Sequence, residues 1–255
     1  MNKRRTMNEA KIKKLKDFFK EVMIRRLQPA SPCNLLLFVL LLSLFLPAPP
    51  LRGQSSVRFA IIGDYGFAGK PEAEVARLVM KWKPDFIITT GDNNYDYGTD
   101  STIDRNIGMY YHQYISPYGG AYGPGDTVNR FFPCLGNHDW RTTGAAPYFK
   151  YFSLPGNERY YDFIRGPVHL FALDSDEHEP DGITDSSTQA RWLKQKLSES
   201  TQRWNIVYFH HPPYSSGEHG NSPILQWPFE QWGATAVIGG HDLDGHGFGD
   251  PCGQA

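Results

Sequence analysis

Five short segments of this chain end alike, in a β-rich run closed by a side chain that binds metal ions. They are Phe59-Ala-Ile-Ile-Gly-Asp64, Ile87-Ile-Thr-Thr-Gly-Asp92, Phe131-Phe-Pro-Cys-Leu-Gly-Asn137-His138, Ile206-Val-Tyr-Phe-His210 and Ala236-Val-Ile-Gly-Gly-His241. In an α/β sheet, functional groups gather at the carboxyl ends of strands. Those ends would bring together two aspartates, an asparagine and several histidines. Such a mixed oxygen and nitrogen set suits iron, manganese or zinc rather than calcium. Acidic ligands from several strands can hold two cations about 3.5–4 Å apart, an arrangement that hydrolyses phosphate esters.

Each segment alone also admits a plainer reading. An aspartate after a strand is often a turn or a helix cap, and Asp92 in Gly91-Asp-Asn-Asn-Tyr95 fits an Asx-turn. Tyr95 reads either as a phenolate able to bind a ferric ion or as an aromatic at the rim. Gly136-Asn137-His138-Asp139 is more specific, because a neutral amide oxygen is an unusual ligand and the adjacent histidine can reach a phosphoryl oxygen. The run from His210 to His219 holds three imidazoles, and Pro212 and Pro213 rule out a helical pair. One histidine there is expected to be a ligand and another to support it. His112, His169 and His178 lack such a context and read as ordinary surface or packed residues.

The elements that must position these groups follow from periodicity and turn signals. Strands are expected at Val57–Ile62, Phe86–Thr90, Phe131–Leu135, Asn205–Phe209 and Ala234–Ile238. A hairpin is expected from Tyr160–Ile164 and Val168–Leu173 around Arg165-Gly-Pro. Pro71 opens a helix over Glu72–Trp82, with Val75, Leu78, Val79 and Trp82 on its apolar face. Thr102–Tyr114 reads as helical, Pro117–Asn129 and the acidic Asp174–Asp185 as loops. Ser186-Ser-Thr-Gln189 resembles a capping box opening a helix over Gln189–Leu197. No internal repeat and no second domain is visible. A two-layered β core with helices outside is the economical architecture.

The 255 residues and 40% hydrophobic content allow one sizeable core. The formal net charge of −1 conceals an asymmetry. Residues 1–53 carry 11 basic and 3 acidic side chains, leaving 15 against 24, a net of −9, for the rest. That balance argues against non-specific nucleic-acid binding and against an anionic membrane surface. Residues 1–54 read as a signal peptide or signal anchor with a basic n-region. Leu35–Leu46 is an apolar run of h-region length between Arg25-Arg26 and Pro47, Pro49 and Pro50. The folded part would then be 55–255, secreted or periplasmic, with no membrane attachment once the leader is cleaved. Of the three cysteines, Cys134 is expected to be a small buried hydrophobe rather than half of a disulfide.

Taken in order, Gly63-Asp64-Tyr65-Gly66, Gly91-Asp92-Asn93-Asn94-Tyr95, Gly136-Asn137-His138-Asp139, His210 and Gly240-His241 resemble the motif run of the calcineurin-like metallophosphoesterases. Tyr95 makes the chain most similar to the purple acid phosphatases of the small, tartrate-resistant type. The resemblance implies an α/β fold, a four-layer α/β/β/α sandwich, with the C-terminal strands truncated at Ala255. It implies two metal ions: Fe(III) on Asp64 and Tyr95, and Fe(II), Zn(II) or Mn(II) on Asn137, His210 and His241, with Asp92 bridging. It gives His138 the phosphoryl oxygens and His219 the leaving group. It leaves His211 outside the ligand set. Leu243 stands where the family's second histidine of the last motif binds iron, and His246 is the nearby imidazole that could replace it.

The expected activity is therefore hydrolysis of small phosphate monoesters, with the metal pair activating water for in-line attack on phosphorus. The alternatives are a phosphodiesterase or nucleotidase on the same scaffold, or an inactive remnant.

Overall fold

The computed structural model describes residues 56–242. The leader, Leu243, His246 and Cys252 lie outside the described residues. The described residues belong to one compact unit.

The chain enters at β1 (Phe59–Ile62), crosses over through α1 (Lys70–Trp82) and returns as β2 (Phe86–Thr89). A helical stretch follows, made of α2 (Asp100–Ile103), a π-helical turn (Asp104–Gly108), α3 (Met109–Tyr111) and a 3-10 turn (His112–Tyr114). The loop after it leads to β3 (Phe131–Pro133), α4 (Asn137–Trp140) and α5 (Ala146–Tyr151). β1, β2 and β3 are neighbours in that order, all parallel, with Phe59 opposite Phe86 and Ile87 opposite Phe131. The second half builds a four-stranded sheet: β4 (Tyr161–Arg165), β5 (Val168–Ala172), β6 (Trp204–Tyr208) and β7 (Ala236–Ile238). The β4–β5 pair is an antiparallel hairpin, while β5, β6 and β7 run parallel. Between β5 and β6 lies α6 (Thr188–Glu199), and α7 (Phe229–Trp232) precedes β7.

The two sheets pack face to face, and helices cover their outer sides. Phe86, Ile88 and Phe132 of one sheet meet Tyr161, Phe163, Leu170 and Tyr208 of the other. Phe132 stacks on Phe163 with ring centroids 3.9 Å apart. α1 and the 100–114 helical stretch seal the first sheet with Ala76, Val79, Ile103, Ile107 and Tyr111. α6 and α7 seal the second with Ala190, Leu193, Leu197 and Phe229. This is the four-layer α/β/β/α arrangement expected. It explains why β2 reads Phe-Ile-Ile-Thr without alternation: both of its faces are covered.

Two local expectations are corrected. α1 buries Glu72, Ala76 and Val79, whereas Val75, Leu78 and Trp82 are 43%, 46% and 51% exposed. Hydropathy selects the wrong row because two rows at helical spacing compete, and the small Ala76 lets the helix lie close on the sheet. Ser187, not Ser186, caps α6, accepting from Ala190 N at 3.1 Å. Gln189 makes no return bond. It is fully buried, receives the Asp174 amide at 2.8 Å and donates to the Asp174 carbonyl at 2.9 Å.

Glu72 carries a measurable consequence. Its Oε1 and the Tyr111 hydroxyl are buried without a well-formed hydrogen bond. Burial pushes the Glu72 carboxyl from 4.5 up to about 7, which the nearby Tyr111 hydroxyl only partly offsets. Between those values the folded chain keeps the proton and the unfolded chain has lost it. Stability from this group is therefore full below about pH 4.5 and declines on the way to about pH 7. The loss is on the order of 3 kcal/mol. Glu72→Gln should flatten the fall in thermal midpoint between acid and mildly alkaline pH and be more stable than the parent at the alkaline end. Parallel pH profiles for the two proteins would rule Glu72 out as the carrier of that dependence.

Candidate metal centre

The carboxyl ends of both sheets deliver their polar residues to one place. Asp64 follows β1, Asp92 follows β2, and Asn137 and His138 open α4 after β3. His210 follows β6 and His241 follows β7. Three of these turns use the left-handed region for a residue other than glycine: Asp64 at φ 52°, Asp92 at φ 52° and His241 at φ 68°. Such backbone costs roughly 1–3 kcal/mol a residue and persists where surrounding bonds impose it. Here the Asp64 amide donates to the Gly91 carbonyl at 3.2 Å, and the His241 amide to Asp64 Oδ2 at 3.1 Å. Two glycines are needed for close approach. A Cβ on Gly91, itself at φ 88°, would lie 2.8 Å from the His210 side chain, and one on Gly136 would lie 2.3 Å from Asp92.

Asp92 is the hub, with a side chain 97% removed from solvent. Its Oδ1 accepts from the His138 amide at 2.9 Å and its Oδ2 from the Tyr95 hydroxyl at 2.9 Å. The same Oδ2 lies 3.5 Å from His210 Nε2. The Tyr95 hydroxyl also reaches Asp64 Oδ1 at 3.3 Å. Burial, then the charges of Asp92 and Asp64, push its phenol far above the ordinary tyrosine range. A cation between the carboxylates reverses that last influence.

His210 shows what this arrangement can bind. Burial holds its imidazole down at about 3, so the ring is neutral. Its Nδ1 lies 2.8 Å from the Thr90 carbonyl, a pure acceptor, so the ring proton resides on Nδ1. Nε2 then presents a lone pair. It faces Asn137 Oδ1 at 2.9 Å, His241 Nδ1 at 2.9 Å and Asp92 Oδ2 at 3.5 Å. Convergent lone pairs in a buried pocket are the donor set of a cation. Asp64, Asp92 and His210 can place one ligand atom each within 4.8 Å of the others, and so can His210, His211 and His241.

The remaining predicted residues line the same space. A cavity of about 370 Å³ opens over Asp64, Asp92, Tyr95, Asn137 and His241, with His138, His219 and Arg141 in its wall. His138 Nδ1 is 2.7 Å from the Asp96 carbonyl, which leaves Nε2 toward the cavity, 3.9 Å from Asp92 Oδ2. His219 is tied by its amide to Asp242 Oδ1 at 3.0 Å, and its ring centroid is 4.3 Å from that of His241. A larger cavity, about 500 Å³, lies beside Asp104 and Tyr151. Its Asp104 carboxylate is already satisfied by the hydroxyls of Tyr118 at 2.6 Å and Tyr151 at 2.8 Å. The smaller cavity is thus the one onto which the convergent carboxylate, amide and imidazole donor atoms open.

Supporting residues were not singled out by motif reading. Asp139 is buried, and its Oδ2 accepts from Gly136 N at 2.9 Å, Asn93 Nδ2 at 2.9 Å and Asn93 N at 3.2 Å. Asn93 in turn donates to the Cys134 carbonyl at 2.8 Å and accepts from Thr89 Oγ1 at 2.6 Å. These bonds lock the loops after β2 and β3 together behind Asp92. His211, left outside the ligand set by the motif, stands beside it: its ring centroid is 4.6 Å from that of His241 and its Nδ1 is 3.0 Å from Ser175 Oγ. Cys134 is a free, buried cysteine as expected. His169 is packed between Asp162 and Ser200, and His112 and His178 bond to neighbours of their own loops and helices.

A family model for the calcineurin-like phosphoesterases matches residues 57–245, which contain both sheets and every ligand group just described. The chain belongs to this family. Among curated proteins it is 26% identical over 227 residues to purple acid phosphatase 17 of Arabidopsis thaliana, covering 76% of this chain and 64% of that one. It is 25% identical over 242 residues to human tartrate-resistant acid phosphatase type 5, covering 80% and 72%. The chain thus spans about two thirds of the length of these relatives. Among solved structures, a purple acid phosphatase from yellow lupin seeds aligns with a TM-score of 0.59 at 19% identity, covering 75% of this chain and 39% of that one. GAP50, the anchor in the inner membrane complex of Plasmodium, aligns at 0.54 and 21%, covering 73% and 66%. At these identities the two structures speak for the shared phosphoesterase fold alone. Leu243 and His246, expected to bear on the last ligand position, lie outside the described residues.

Proposed function

We propose that the protein is an acid phosphatase that hydrolyses small phosphoric monoesters with two bound cations. The observation that carries the reading is His210 Nε2, an unprotonated nitrogen facing Asn137, His241 and Asp92 within 3.5 Å. The names of the curated relatives, purple acid phosphatases and tartrate-resistant acid phosphatases, support the same direction.

Asp64 and Tyr95 would hold one cation, Asn137, His210 and His241 the other, and Asp92 would serve both. Bound there, the ions supply Lewis acidity toward phosphoryl oxygens and generate a nucleophile from water at neutral or lower pH. The chain's own groups do the rest. His138, its Nδ1 proton held by the Asp96 carbonyl, donates from Nε2 to the phosphoryl oxygens in its doubly protonated form as charge develops on them. His219, at the wall near His241, hands a proton to the departing oxygen. Asp139 and Asn93 keep Asp92 in register with the other ligands. The cavity of about 370 Å³ suits a small ester, and the excess of acidic side chains beyond residue 53 disfavours nucleic acid. We further assign the tyrosine-bound ion as Fe(III), the other as Fe(II), Zn(II) or Mn(II), and the location as secreted or periplasmic.

The test uses purified, metal-loaded protein at acid pH with p-nitrophenyl phosphate and its bis-ester. The monoester should be turned over and the bis-ester spared, and iron-loaded protein should show a visible charge-transfer band that Tyr95→Phe removes. Faster bis-ester cleavage would make the protein a phosphodiesterase instead. Loss of neither colour nor metal in Tyr95→Phe would refute the iron assignment.

A further inference from the structure

We propose that Arg141 selects the substrate by reading a second anionic group, so that preferred substrates are diphosphates, whose leaving group is itself a phosphate. The proposal rests on the phosphatase reading above and names the substrate class for that site.

Among the described residues, Arg141 is the one lysine or arginine in the cavity wall. It follows His138 by three positions across α4, one helical turn, so the two side chains share a face. They also share an anchor. His138 Nδ1 and Arg141 Nη1 both meet the Asp96 carbonyl, at 2.7 and 3.0 Å. The guanidinium lies over the Tyr97 ring, 5.7 Å from its centroid, and Thr142 Oγ1 pins the Tyr97 carbonyl at 2.6 Å. The guanidinium is therefore held in place, yet it makes no ion pair with any carboxylate among the described residues. One hydrogen bond from a group with five N–H donors leaves a planar fork free beside the cavity, the geometry that binds phosphate in bidentate fashion.

The metal ligands and His138 are enough to hold one phosphoryl group. A neutral leaving group gives Arg141 nothing to bind, whereas a second phosphate gives it a full charge-assisted contact. In the reaction, the bond between the attacked phosphorus and the bridging oxygen breaks. Water supplies the new oxygen on that phosphorus, a proton goes to the bridging oxygen, and two phosphates leave with no change of oxidation state.

The metal-loaded protein and its Arg141→Ala and Arg141→Lys variants should be compared on inorganic diphosphate, ADP and phenyl phosphate. Binding of the non-hydrolysable imidodiphosphate and of orthophosphate should be measured by calorimetry. In Arg141→Ala, the ratio of kcat/KM on diphosphate to that on phenyl phosphate should fall about ten- to a hundredfold, chiefly through KM. Tighter binding of imidodiphosphate than of orthophosphate should be lost, and Arg141→Lys should recover part of both. A fall on ADP larger than on inorganic diphosphate would identify a nucleotide as the source of the second phosphate, and the reverse would identify the inorganic anion. An equal loss on phenyl phosphate and diphosphate would mean that Arg141 merely supports the Asp96 loop, and would overturn the proposal. If the parent protein hydrolyses nothing, the phosphatase reading falls, and the calorimetric preference still decides the role of Arg141.

Discussion

Asp92→Ala should leave the folded protein unable to retain either cation and reduce phosphate-ester hydrolysis by at least about 10³-fold. The side chain is 97% removed from solvent and joins Tyr95, His138 and His210. Its two oxygens receive the His138 amide and the Tyr95 hydroxyl, both at 2.9 Å, and Oδ2 approaches His210 Nε2 at 3.5 Å. Alanine removes all three connections and the one carboxylate placed between the two groups of ligands. Elemental analysis after dialysis, with circular dichroism as a control for folding, checks this. A variant that keeps both metals would show that the sites do not share Asp92.

His138→Ala should behave differently. It lies near the ligands but reaches the carboxylate only at 3.9 Å, and its own Nδ1 is committed to the Asp96 carbonyl. Its contribution is expected on the phosphoryl oxygens, where a single aimed donor is worth about 10²–10³-fold in kcat. Metal content should stay at the parental level. The Asp92 bond to residue 138 comes from the backbone amide and survives the substitution. Loss of metal as complete as in Asp92→Ala would make His138 a ligand and overturn the division of roles.

The strand ends were legible because Asp64, Asp92, Asn137 and His241 each follow an apolar run closed by glycine and His210 directly follows one, a pattern that reports both the strand and its terminus. Asp64, Asp92, Asn137, His210 and His241 come together because β1, β2 and β3 run parallel in one sheet, β6 and β7 run parallel in the other, and the carboxyl ends of both meet at one place. What could not be read was set by partners remote in sequence. Asn93 and Asp139 look like ordinary loop residues until the fold brings them within 2.9 Å across 46 positions. Gln189 resembled a capping residue because only the fold places the Asp174 backbone beside it. The buried row of α1 escaped hydropathy because it contains Glu72, tolerated there as a protonated acid. The left-handed backbone at Asp64, Asp92 and His241 has no sequence signal, since aspartate and histidine there look no different from the same residues in extended chain. Arg141 carries no motif of its own; its place in the cavity wall follows from α4 and the Asp96 loop meeting.

On the proposed reading, Asp64, Asp92, Tyr95, Asn137, His210 and His241 form one site for two cations that hydrolyses phosphate esters. It is tested most directly by measuring metal stoichiometry and phosphomonoesterase activity together, on the same purified protein, before and after chelation. Two cations per chain are expected, with turnover of a phosphate monoester at acid pH and loss and recovery of both in step as metal is removed and restored. A protein that holds two cations without hydrolysing phosphate esters, or that hydrolyses them equally well after complete chelation, would contradict that reading.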